Sequence, residues 1–208
     1  MDEYFNIDYD LTRYYSYFDV ITELAHIKQT KNILDIGVGS HFFSNYLKSN
    51  GYDVISLDVC RDLHPDVTAS VVNLPFETSA FDVGLCCEVL EHLPYECFKK
   101  GLSELYRVVT QFVILSIPDS SYYLSVHLRY SPMKEYKHVF SFPILLHRKL
   151  IFNGAHYWEV GRSGYPLSEI SKAIADTGFT VLKTYRSIDN PYCRMFLLRK
   201  LKDVKNTQ

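Results

Sequence analysis

The 208-residue chain is poor in the features that would place it quickly. It has no apolar run long enough to cross a bilayer as a helix. Its formal net charge is only −2, which removes any global attraction to nucleic acid or anionic membrane. It has one tryptophan and five cysteines, and no two cysteines stand in a Cys-x-x-Cys pair. The cysteine count is odd, and Cys86 and Cys87 adjoin in an apolar segment, so reduced thiols are expected instead of disulfides or a zinc site. The eight histidines show no His-Glu-x-x-His spacing. No metal site is therefore expected from spacing, although ligands can also converge from distant positions. The opening Met1-Asp2-Glu3-Tyr4 is acidic and aromatic, unlike a secretion signal, and a cytoplasmic location is expected. There is no internal repeat and no low-complexity tract.

What is present is an alternation of short apolar runs and helical patterns. Residues 8–29 carry Leu11, Tyr14, Tyr15, Phe18, Ile21, Leu24 and Ala25 at helical spacing. Strands are expected at 32–36, 53–57, 67–72, 81–87 and 112–117, the last stopped by Pro118. Helices are expected at 41–49, 95–108 and 167–177. Two closing strands, 179–187 and 193–201, flank a turn at Pro191 and should pair antiparallel. The fold class is thus α/β: a Rossmann-like, seven-stranded, mostly parallel sheet with a C-terminal antiparallel hairpin and helices on both faces. One domain is expected over 1–208, with an N-terminal helical cap at 1–30 and an insertion at 119–165.

The most informative run is Asn32-Ile33-Leu34-Asp35-Ile36-Gly37-Val38-Gly39-Ser40. A buried strand feeds a glycine turn and then a helix N-terminus. Glycine tolerates unusual φ/ψ and lets a ligand approach the backbone, and the first amides of the helix face outward. Further along come Asp58 at the end of the second strand, Asn73-Leu74-Pro75-Phe76, Phe81-Asp82-Val83, and Cys87-Glu88-Val89-Leu90-Glu91-His92-Leu93.

Taken in this order, these segments resemble a class I S-adenosylmethionine-dependent methyltransferase of the small-molecule type, over residues 30–118 and more loosely to the end. The resemblance implies S-adenosyl-L-methionine as cofactor. It implies that Asp35, Gly37 and Gly39 face the amino-acid and ribose parts and that Asp58 accepts from the ribose hydroxyls. Val59 would lie against adenine, Ser70 and the Val71 amide would serve the adenine edge, and the Cys87 carbonyl would take the ligand amine. On this reading Gly37→Val should abolish cofactor binding while sparing the fold. Two positions depart from the family pattern: His41 stands where a third glycine is common, and Ser70 where an acidic residue is common.

Glu88, His92 and His156 are the candidate catalytic groups: Glu88 is placed by the rule that ligands of open α/β sheets bind beyond the strand carboxyl ends, and all three could serve as a base for a nitrogen or oxygen acceptor. The 119–165 insertion interleaves basic residues with aromatics, and Glu135 is the only acid in 120–158. It is read as a lid over a small-molecule acceptor, with Tyr130, Tyr136 and Trp158 bearing on turnover more than on cofactor binding. Nucleic acid is the alternative acceptor, by stacking and charge. A binding protein without turnover and, last, a nicotinamide-dependent oxidoreductase are the other readings; the latter wants a glycine where Phe42 stands.

Overall fold

A computed structural model describes residues 11–130, 132, 134–142, 152 and 154–201. The chain order is α1 (Leu11–Ala25), β1 (Asn32–Ile36), α2 (Phe42–Ser49), β2 (Asp53–Asp58), β3 (Val67–Thr68), β4 (Phe81–Cys87), α3 (Tyr95–Val108), β5 (Val109–Pro118), β6 (Tyr122–Tyr130), β7 (Lys134–Phe142), α4 (Leu167–Asp176), β8 (Phe179–Arg186) and β9 (Cys193–Lys200). Seven strands form one sheet in the order β3-β2-β1-β4-β5-β9-β8, and β6 and β7 form a separate two-stranded sheet. Strands β1 to β5 pair parallel, while β9 runs antiparallel to both β5 and β8. Residues 1–10, where the expected first helix begins, lie outside the described residues.

Alternation along the strands divides the core between two faces. Ile33, Val83, Leu85 and Ile114 pack with Val20 and Leu24 of α1 and with Phe43 and Leu47 of α2. Leu34, Cys86, Val113 and Leu115 pack with Phe98, Leu102 and Leu105 of α3 and with Ile170 and Ile174 of α4. The central strands are buried on both faces, as a parallel sheet requires.

Two element boundaries differ from expectation. The third strand is only Val67–Thr68, because Asn73 N donates to Ser70 O at 2.9 Å and this tight turn takes the chain out of the sheet. The fifth strand is longer than expected and includes Pro118, which sits opposite Cys193 as the last residue of the strand. Proline is tolerated there because its missing N–H interrupts no further rung.

The 119–165 segment divides into two parts. Strands β6 and β7 form a hairpin whose residues are almost all exposed. By contrast, the described residues around Trp158 and Val160 pack on the body. Trp158 is 0% exposed, donates Nε1–H to Leu93 O at 3.1 Å and stands edge-on to Phe98. Trp158 is therefore a core residue, and its expected role as a lid aromatic is corrected: burial gives it a structural task. Tyr130 and Tyr136 are exposed on the hairpin. Among the described residues no helix is long and apolar enough to cross a membrane.

Candidate functional site

The carboxyl ends of β1, β2 and β4 bring the expected cofactor residues to one edge of the sheet. Asp35 is 3% exposed and accepts a hydrogen bond from Ser44 Oγ at 2.6 Å. Burial pushes its carboxyl up to about 6, and the Ser44 hydroxyl opposes that rise. The turn after β1 is held by Gly37 N donating to Leu57 O at 2.8 Å. The two glycines of this turn differ. Gly37 has φ +78°, and a Cβ there would collide with Val89 Cγ2. A side chain at Gly37 would thus meet protein, so the expectation that Gly37→Val spares the fold is corrected. At Gly39, with φ +47°, the nearest atom to a Cβ is Gly37 O at 3.9 Å, and the space beyond is open.

His41, the non-glycine departure, nevertheless takes the glycine-like conformation, with φ +60° at the N-cap of α2. Its Nε2 lies 2.5 Å from Leu63 O, so the imidazole is turned toward the loop after β2. Asp58 ends β2 and uses Oδ1 to accept from Cys60 N at 2.8 Å. Oδ2 has no partner among the described residues. Next to it Val59 is 68% exposed, an apolar side chain left uncovered at the strand mouth. The Ser70 hydroxyl accepts from Val72 N at 3.4 Å, and the Val71 side chain is buried in the core, so Val71 can offer a ligand only its backbone. Cys87 closes β4 beside Ser116, and burial raises its thiol well above the ordinary range, which keeps it protonated.

Beyond β4 the chain takes a strained step. Glu88 has φ +56°, a region that non-glycine residues rarely enter and that clusters at functional sites. Its Oε1 accepts from Ser116 Oγ at 3.0 Å and lies 3.5 Å from Cys193 Sγ. A short 3-10 turn, Leu90–His92, follows. His92 Nδ1 lies 2.9 Å from Ala155 O, and the His92 and His156 rings are 5.1 Å apart. His156 Nδ1 lies 3.0 Å from Glu159 Oε1, which also accepts from Tyr192 Oη at 2.6 Å. A carbonyl and a carboxylate only accept, so Nδ1 of each ring is the nitrogen that donates in these contacts.

Folding therefore joins two of the three catalytic candidates across a long sequence separation and adds Glu91, which the sequence analysis did not assign a role. Glu91 is 0% exposed, and burial raises its carboxyl well above the usual range, with Glu88 and Glu159 adding to the rise. The signal that pointed to it was its place in Glu-x-x-Glu-His. The nearby ionic core, in which Asp119 accepts from Arg186 and Arg194 at 2.5 Å each, was likewise not legible from spacing.

Residues 34–115 match the methyltransferase domain family. An uncharacterised protein of Methanocaldococcus jannaschii is 33% identical over 84 residues, a match that spans 37% of this chain and 35% of that protein. Among solved structures, the 1,6-didemethyltoxoflavin N1-methyltransferase of Burkholderia thailandensis, crystallised with S-adenosylhomocysteine, superposes with a TM-score of 0.60. It is 14% identical, with 94% of this chain and 80% of that chain covered. The magnesium protoporphyrin IX methyltransferase of Synechocystis, crystallised with S-adenosylmethionine, gives 0.58 at 16% identity, covering 91% and 79%. A protein from Pyrococcus horikoshii gives 0.62 at 15% identity, covering 97% and 100%. These likenesses establish the fold.

Proposed function

Proceeding from a chain whose residues 34–115 match the methyltransferase domain family, we propose that it transfers a methyl group from S-adenosylmethionine to a small-molecule acceptor at the carboxyl edge of the sheet. The observation that carries this reading is the open face of Gly39 beside Asp58 Oδ2 and the uncovered Val59. A flat apolar surface, a carboxylate acceptor and bare backbone at one strand mouth suit a nucleoside with a ribose diol. Bound there, the sulfonium supplies an activated methyl, so the protein's work is orientation and exclusion of water.

Asp58 takes the ribose hydroxyls, Val59 covers adenine, and Ser70 with the Val71 amide meets the adenine edge. Gly37 shapes the turn and Gly39 gives the close approach. Asp35 and the Cys87 carbonyl attract the amino-acid end, which carries an ammonium. Glu88, His92 and His156 stand on the acceptor side, where carboxylate oxygens and Nε2 lone pairs can take a proton from the attacking group.

The β6–β7 hairpin is the natural cover for the acceptor. Its aromatics and basic residues suit a nucleic acid less well than composition implies, because several of its charges are already engaged. Arg129 and His127 pair with Glu135, and Lys137 pairs with Asp189 at 3.0 Å. That neutralisation supports the small-molecule reading. His41, turned to Leu63 O, does not fill the cofactor edge, which supports turnover over a binding-only role.

Calorimetric titration with S-adenosylmethionine and S-adenosylhomocysteine tests the proposal. Asp58→Ala should weaken binding by roughly 1.5–3 kcal/mol, the worth of hydrogen bonds to a charged acceptor. Equal affinity in a folded variant removes Asp58 from the site.

A further inference from the structure

Glu91, His92 and His156 each offer a ligand atom, and the three atoms lie within 4.8 Å of one another. The geometry points to a binding site for a divalent transition-metal ion, held by the Glu91 carboxylate and one nitrogen from each imidazole. Three separate observations converge on it.

The first is the carboxylate. Glu91 is wholly buried, and neither oxygen has a hydrogen-bond partner among the described residues. A buried carboxyl without partners is costly, and such a group keeps its proton, is paired or coordinates a metal. The second is the rings. In metal sites a ligating histidine gives its other nitrogen to a carbonyl or carboxylate, which fixes the tautomer and aims the ligating lone pair. Here Nδ1 of His92 meets Ala155 O at 2.9 Å and Nδ1 of His156 meets the Glu159 carboxylate at 3.0 Å. The Glu159 carboxylate is itself fixed by Tyr192, Arg162 and Ser120. In the proposed site Nε2 is the ligating atom of each ring.

The third is the scaffold. Tyr157 N donates to Glu91 O at 2.9 Å, and Trp158 Nε1 donates to Leu93 O at 3.1 Å. These bonds pin the His156 segment to the turn that carries Glu91 and His92, so the three donors meet without a large rearrangement. Donors about 2.1 Å from a tetrahedral ion stand roughly 3.4 Å apart, so binding would draw the three side chains inward.

The donor set selects the ion. Two imidazoles and one carboxylate suit zinc, cobalt, nickel or ferrous iron, whereas magnesium and calcium prefer all-oxygen sites. Three protein ligands also leave coordination positions open, as catalytic sites do. In this state His92 and His156 ligate and do not accept protons, while the cofactor edge is unaffected. The inference rests on these side chains and shares them with the acceptor side of the methyl-transfer reading: with the ion bound, Glu88 is the candidate that remains to take a proton.

The test uses the full chain, stripped of metal by chelator dialysis and titrated with zinc chloride against a chromophoric chelator. About one equivalent of zinc should bind. Outer-shell partners alone are worth about 10- to 100-fold in metal affinity, so His92→Ala and Glu91→Gln should each lose more than about tenfold. His138→Ala, on the exposed hairpin, should bind as the parent does. Cobalt chloride in place of zinc should give visible ligand-field bands that His92→Ala loses. His92 is exposed, so its truncation spares the core and decides the matter even where Glu91→Gln unfolds. No saturable uptake by the parent chain, or parental affinity in His92→Ala, overturns the site. S-adenosylmethionine affinity measured on the same samples separates loss of metal from loss of the cofactor site.

Discussion

At the scale of single residues, Gly37 and Gly39 show how two glycines in one turn serve different ends. The Gly37 position is closed by Val89, so any side chain there strains the backbone and collides. Gly39 faces open space in the left-handed region, where asparagine is the best tolerated substitute. Gly39→Asn should therefore keep the parental thermal midpoint within a few degrees, since it is confined to an exposed turn, while its side chain enters the cofactor edge. Calorimetry should find S-adenosylmethionine binding reduced at least about tenfold, as expected when atoms fill a ligand's close-approach surface. Normal affinity would mean that the ligand does not run over this turn.

Asp35 gives a pH signature. Its folded carboxyl lies at about 6 because of burial, above an ordinary value of 3.8. The folded chain thus binds this proton more tightly than the unfolded chain does. Its contribution to stability is full at low pH and is lost as pH rises through that window, by at most roughly 3 kcal/mol. Urea unfolding from pH 4 to pH 7 should show a downward slope in the parent that Asp35→Asn lacks. Equal slopes would mean that Asp35 is not buried in this way. The same carboxylate, ionised above about pH 6, is poised for a cationic ligand, so parental S-adenosylmethionine affinity should rise through that range.

Among the secondary-structure elements, the 119–165 region separates into a hairpin and a packed return. Trp158 sits among Tyr95, Phe98 and Tyr165, and Tyr130 lies on an exposed strand. Removing a buried aromatic costs about 3–5 kcal/mol, while surface substitutions stay within about 0.5 kcal/mol. Chemical denaturation should place Trp158→Ala in the first class and Tyr130→Ala and Tyr136→Ala in the second. The two tyrosine variants should instead lower turnover with little change in cofactor affinity. Equal destabilisation by all three would make the whole insertion one packed unit.

For the molecule as a whole, the hairpin and the sheet should differ in protection. Strands β4 and β5 are covered on both faces, and α1 is tied to the far edge by Glu23, which accepts from Lys183 Nζ and Tyr185 Oη. Among the described residues, strands β6 and β7 pair only with each other. Amides with few buried neighbours open locally at low free energy. Hydrogen exchange should find β6 and β7 exchanging well before β4 and β5, and slowing when cofactor and acceptor are both present. Sheet-like protection of the hairpin in the free chain, unchanged on ligand addition, would make it a rigid insert and end its role as a cover.

The sequence by itself determined the α/β class, the chain order of the seven sheet strands and the gathering of Asp35, Gly37, Gly39 and Asp58 at the carboxyl ends of β1 and β2. Those readings follow from local causes: apolar periodicity, glycine turns, and carboxylates at strand ends such as Asp35 and Asp58. The tertiary structure alone decided which glycine is open, since Val89 approaches Gly37 from a different strand end. It alone decided that Trp158 is core and that β3 is cut to two residues by the Ser70–Asn73 turn. It also brought His156 to Glu91 and His92 and matched Asp119 with two arginines. These are contacts between segments far apart in the chain. They are set by packing and by the need to satisfy buried charge, and neither leaves a periodic mark in the sequence.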